Sequence, residues 1–116
     1  MKPLVLTMFL AFAAQNLAGQ SPLRRAPQSA QVNPLKDDAA AVRAGQKLFE
    51  RECAACHGHD CGGLGKAPAL LSNVREAPAG AVFWVLRNGS LRHGMPSFAH
   101  LPETQRWQIV TYLQRR

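Results

Sequence analysis

Cys53, Cys56 and His57 stand in the run Cys53-Ala54-Ala55-Cys56-His57, and that spacing suits covalent attachment of a haem with an imidazole beneath its iron. Two cysteines three apart near a helix end reach the two vinyl groups on one porphyrin edge, and the next residue then lies under the metal. Two other readings of the same residues compete. A thioredoxin-like dithiol belongs to a βαβ setting, whereas the segments here read as helical and no strand precedes the motif. A tetrahedral zinc site could draw on Cys53, Cys56, Cys61 and either His57 or His59. Those candidates all fall between positions 53 and 61, while structural zinc sites usually take two ligand pairs from separated segments.

An iron that carries electrons without changing its ligands needs a second axial group, and a methionine sulfur raises its potential relative to a second histidine. Met1 and Met8 lie in the stretch 1–19, which reads as a secretory signal peptide removed on export, and that leaves Met95 in Gly94-Met95-Pro96-Ser97-Phe98. Gly94 lets the backbone approach closely, and Pro96 stiffens the turn that presents the sulfur. His93 and His100 flank this methionine and are the alternative ligands. His59 reads as a solvated loop residue. Cys61 is left over, as a free thiol, an intermolecular disulfide partner or a passenger in the loop.

The elements that must position these residues read as helices. Asn33-Pro34 offers an N-cap followed by a proline at the first helical position, with Asp37 and Asp38 near the positive end of the dipole. Ala41, Gly45, Leu48 and Phe49 then form one apolar stripe, so a helix runs to about Glu52 and delivers the cysteine motif at its end. Glycines and Pro68 mark a loop over 58–73. A second helix is predicted over 79–87, ended by Asn88-Gly89, then a loop over 91–101. Pro102-Glu103 opens a last helix to about Arg115, with Trp107, Val110 and Leu113 on its apolar face, flanked by Ile109 and Tyr112. The fold class is all-α, with three to five short helices, no strand signal and no internal repeat.

The chain of 116 residues is enough for one small domain. Met1-Lys2, an apolar run from Leu4 to Ala14 and the small and polar residues that follow read as a secretory signal peptide over 1–19. The run is shorter than the about 20 apolar residues a membrane helix needs, so no transmembrane segment is expected in the mature chain. Residues 20–32, rich in Gln, Pro, Ser and Arg, read as a flexible leader, and 33–116 as the domain. The expected location is periplasmic or secreted. From residue 20 onward 13 Lys and Arg stand against 7 Asp and Glu, a formal +6. That surplus suits steering toward redox partner proteins with acidic docking surfaces. The basic residues form no run of five, which speaks against nucleic-acid binding.

With Cys53, Cys56 and His57, the short span to Gly94-Met95-Pro96 and helices at both ends, the chain resembles the class I c-type cytochromes of bacteria from Asn33 to the C-terminus. The resemblance implies a cytochrome c fold around one covalently bound haem c, with the N- and C-terminal helices crossing. It implies that Gly45 and Phe49 face Ile109 and Tyr112 at that crossing. It further implies that the Pro68 carbonyl accepts a hydrogen bond from the His57 imidazole and fixes the ring. Ala67 stands where many relatives carry glycine, and Cys61 has no place in the pattern. The 38 positions between His57 and Met95 match the shorter bacterial forms. The function implied is that of a monohaem electron carrier, not an enzyme, with His57 and Met95 as axial ligands. Two other functions stay open: a gas sensor or small peroxidase with a labile Met95 and His93 as distal acid–base group, and a bound electron-accepting subunit of a periplasmic dehydrogenase or oxidase.

Overall fold

A computed structural model describes residues 23, 26, 30–63 and 74–116. The signal peptide, most of the leader, Ala67 and Pro68 lie outside the described residues. Among the described residues there are four α-helices and no strand. They are α1 (Ala39–Glu52), α2 (Ala54–His57), α3 (Ala79–Asn88) and α4 (Glu103–Arg115), with a 3₁₀ turn at Leu91–His93.

The first helix starts later than the sequence suggests. Residues 34–37 form a turn, and Asp38 rather than Asn33 is the cap, its carboxylate accepting from the N–H groups of Ala40 (2.8 Å) and Ala41 (3.2 Å). Asn33 has a different task. Its Oδ1 accepts from the Leu35 N–H at 2.8 Å, closing an Asx turn, while its Nδ2 donates to Thr111 Oγ1 at 2.9 Å. Both residue types favour caps, and the long-range partner on α4 decides between them. Asn33 and Thr111 are both buried, and Thr111 donates in turn to the Trp107 carbonyl at 2.8 Å.

The stripe on α1 packs as its spacing predicts: Ala41, Gly45, Leu48 and Phe49 are its buried residues. They cross α4 at Gly45, where a Cβ would lie 1.9 Å from the Gln108 carbonyl oxygen and 2.8 Å from Tyr112 Cβ. The nearest atoms to Gly45 are thus the Gln108 main chain and the Tyr112 Cβ, with Ile109 buried in the same core. Phe49 packs on Tyr112 with ring centroids 5.5 Å apart. Phe49, Ile109 and Val110 are 0% exposed, each contributing roughly 1.5–3 kcal/mol through removal of its side chain from water.

The third layer is α3, which extends one residue beyond the expected end and stops at Gly89, whose N–H reaches the Val85 carbonyl at 2.7 Å. Phe83 stacks on Trp107 with centroids 3.9 Å apart and planes at 14°. On α4 the five expected apolar residues are buried, and Arg106 and Thr111 are buried with them. Gln114 Nε2 donates to the carbonyls of Val74 (3.1 Å) and Ala77 (2.7 Å), tying the approach to α3 onto the last turn of α4. Leu23 and Val42 complete the core from its edges.

Gly45→Ala should lower stability by about 3 kcal/mol, because the added methyl meets fixed main chain and forces the helices apart. Denaturant unfolding of the haem-loaded protein measures it. Thr111→Val should cost about 1–3 kcal/mol in the same assay by leaving the buried Asn33 amide without its acceptor.

Candidate metal centre

The end of α1 places the cysteine motif by continuous hydrogen bonding. Cys53 N–H donates to the Phe49 carbonyl at 2.8 Å and so closes α1, and the Cys53 carbonyl accepts from Cys56 (3.2 Å) and His57 (3.0 Å). The motif is thus one short helical turn growing out of α1. The two thiols lie in different surroundings: Cys53 is buried in the core, whereas Cys56 is exposed. Burial pushes the Cys53 thiol up to about 12, with Glu52, Cys61 and Cys56 adding repulsion against its ionised form. His57 is half-buried. Gly58, at φ +81, turns the chain away, and the Gly63 N–H returns to the His57 carbonyl at 2.7 Å.

Cys61 is 0% exposed and shares the core cluster with Cys53. Its thiol is free but enclosed, a geometry that disfavours an intermolecular disulfide. Burial raises its pKa, opposed by nearby Arg116 and assisted by Asp60. It holds φ +61, in the left-handed region uncommon for residues other than glycine. Among the described residues no three His, Cys, Asp or Glu side chains gather as a metal-holding group, so the tetrahedral zinc set is not assembled.

Met95 is half-buried and packs against the core. The sequence predicts an irregular loop over 91–101, but the segment around Met95 is ordered by its own backbone. Leu91–His93 form the 3₁₀ turn, Gly94 ends it in the left-handed conformation at φ +79, and Ser90 and Met95 exchange N–H···O bonds of 2.9 and 3.1 Å. No other part of the described chain comes within 4 Å of where a Cβ would stand at Gly94, and its φ of +79 favours glycine. The return path is fastened to α3: Ser97 Oγ donates to the Arg87 carbonyl at 2.6 Å and Phe98 N–H to the Leu86 carbonyl at 2.8 Å. His93 and His100 are both exposed, and Ser90 Oγ lies 2.7 Å from His93 Nδ1. Pro68 lies outside the described residues.

Sequence reasoning did not find the part played by Gly89 or Ser97. Gly89 read only as a helix stop, yet at φ +70 it also underlies the methionine segment, where a Cβ would come within 2.7 Å of Pro96 C and Ser97 N. Asn88-Gly89 carried the stop signal, but no local pattern announces a contact seven or eight residues on.

The donor set fits a haem joined by thioethers: two unpaired thiols within one helical turn, an imidazole next to them, and a sulfur on a rigid segment that packs against the same core. Comparison with known proteins agrees. The family model for cytochrome c oxidase, cbb3-type, subunit III matches residues 40–113. Quinohemoprotein alcohol dehydrogenase ADH-IIG of Pseudomonas putida is 35% identical over 99 residues, which are 84% of this chain and 13% of that protein. The crystal structure of cytochrome CL from the marine methylotroph Methylophaga aminisulfidivorans matches with TM-score 0.62 and 25% identity, over 71% of this chain and 57% of that one. The chain thus matches only a small part of the dehydrogenase and somewhat over half of the cytochrome.

Gly89→Ala should disturb the methionine segment more than Gly94→Ala, since both must hold a positive φ but only the first meets backbone atoms. We expect a loss of about 1 kcal/mol at Gly94 from conformational strain and at least about twice that at Gly89 from strain plus overlap. Thermal unfolding of the two variants side by side gives the ranking.

Proposed function

Because this chain belongs to the family of cbb3-type cytochrome c oxidase subunit III domains and so carries covalently bound haem c, we propose that it is an exported one-electron carrier whose iron is held by His57 and Met95. Cys53 and Cys56 form the thioethers, and the signal peptide over 1–19 directs the chain to the periplasm or the exterior. The observation that carries this reading is the rigid Ser90–Met95 pairing, which holds a half-buried sulfur against the core that also contains Cys53.

Haem supplies reversible one-electron chemistry without bond making, and its potential is set by the axial pair and the dryness of the site. The chain's own residues do the rest. The helical turn from Cys53 to His57 would hold the imidazole toward the iron, and the Leu91–Phe98 segment, fastened at Ser90, Ser97 and Phe98, would hold the sulfur. Held by these backbone bonds, such a ligand pair would keep reorganisation on electron transfer small. The basic surplus attracts redox partner proteins with acidic surfaces. Among the described residues no helix is long and apolar enough to cross a membrane.

A second reading is favoured by the likeness to a quinohemoprotein alcohol dehydrogenase: the chain works as the electron-accepting partner of a periplasmic dehydrogenase. It uses the same haem and differs in lifetime of the complex, so affinity purification of the tagged chain from its own periplasm separates a free carrier from a bound subunit.

Met95→Ala should abolish the weak long-wavelength charge-transfer band of sulfur-ligated ferric haem and lower the reduction potential. Absorption spectra and a redox titration read both effects. If band and potential stay as in the parent, Met95 is not the ligand.

A further inference from the structure

The turn that leads into Met95 carries a side chain that the core does not take up. Leu91 is 81% exposed, and among the described residues Val32 is the other large apolar side chain left so open. The turn itself is closed by its own backbone. Ser90 and Met95 exchange N–H···O bonds of 2.9 and 3.1 Å, His93 N–H donates to the Ser90 carbonyl at 2.9 Å, and Gly94 N–H donates to the Leu91 carbonyl at 3.1 Å. A leucine displayed on backbone that is already ordered loses little freedom when another surface covers it. Fixed charge near it in the chain has one sign. Over 77–102 there is no Asp or Glu, while Arg87, at the end of α3 where Ser97 is fastened, and Arg92, on the turn, are exposed. Neither guanidinium belongs to the ion pair seen among the described residues, which joins Arg51 to Glu52.

We propose that the Leu91–His93 turn is the face on which the redox partner docks, and that this partner is a protein carrying carboxylates around a shallow apolar hollow. The carboxylates meet Arg92 and Arg87, and the hollow receives Leu91. The inference rests on the reading of Met95 as the iron ligand, because the pairing that holds the sulfur against the core is the one that holds Leu91 out of it. The charges speed encounter and set orientation, while burial of the leucine displaces water from the join. One electron crosses there, oxidising one protein as it reduces the other, with no bond made or broken. A lipid surface fits this face less well, since a single leucine buries too little area, and interfacial binding takes the apolar side of a whole helix.

The test uses the haem-loaded full chain in two ways. Its reduced, isotope-labelled form is titrated with poly-L-glutamate and followed by NMR, and its oxidation by hexacyanoferrate(III), an anion, and by tris(phenanthroline)cobalt(III), a cation with apolar ligands, is timed by stopped flow. Poly-L-glutamate should shift the amide signals of Leu91, Arg92 and His93, and lose that effect at high salt. Arg92→Glu should slow the anion several-fold and speed the cation, and Leu91→Ser should slow the cobalt complex alone. Arg43→Glu, an equal change of net charge on the exposed side of α1, should move both rates far less. Leu91 and Arg92 are exposed, so these variants fold, and each should keep the long-wavelength sulfur band. A parent chain without that band removes the ligand assignment and this face with it. With the band present, rates and shifts indifferent to Leu91 and Arg92, or moved as much by Arg43→Glu, overturn the docking face alone.

Discussion

The close crossing of α1 and α4 at Gly45 is the constraint on which the remaining geometry rests. With no side chain between them, the Gly45 backbone sits against the Gln108 carbonyl, and the flanking Phe49, Tyr112, Ile109 and Val110 close into a dry core. α1 ends directly in the cysteine motif, so the crossing also sets where Cys53 and His57 stand. α4 in turn carries Trp107, on which Phe83 of α3 stacks, and α3 carries the segment that presents Met95. One contact between two helices thus positions both halves of the proposed ligand pair.

The two halves are held by different physics. His57 is the last residue of a helical turn continuous with α1, so its place follows from local hydrogen bonding. Met95 stands in a segment with little repetitive structure, fixed by the pairing to Ser90, the Ser97 and Phe98 bonds to the end of α3, and the bare surface of Gly89. The segment itself contributes Phe98 and part of Met95 to the core, and its bonds to the Arg87 and Leu86 carbonyls tie it to the end of α3. That difference suits a site in which one ligand is built into the covalent attachment and the other arrives with tertiary folding.

Polar groups inside this small domain follow a similar division. Asn33, Thr111 and Gln114 each find backbone or side-chain partners far along the chain, joining the segment before α1 and the approach to α3 onto α4. They limit the freedom of connections that a domain of this size cannot restrain by apolar burial alone. Arg106 stands apart, since its inner nitrogen has no partner among the described residues.

The sequence alone determined the covalent motif, the stripe Ala41, Gly45, Leu48 and Phe49, the apolar face of the last helix and the stop at Asn88-Gly89. Each of these is a matter of short-range spacing, and helical periodicity makes such spacing readable without a fold. It also singled out Met95 by elimination. Tertiary structure decided the rest, because the partners lie far apart in the chain. Asn33 and Asp38 are equally good caps by residue type, and only the Thr111 hydroxyl, 78 positions on, drew Asn33 out of that role. The same holds for the order around Met95, the enclosure of Cys61 and the burial of a charged Arg106. No local pattern encodes which surfaces another segment will cover, and for a buried polar atom that covering decides everything.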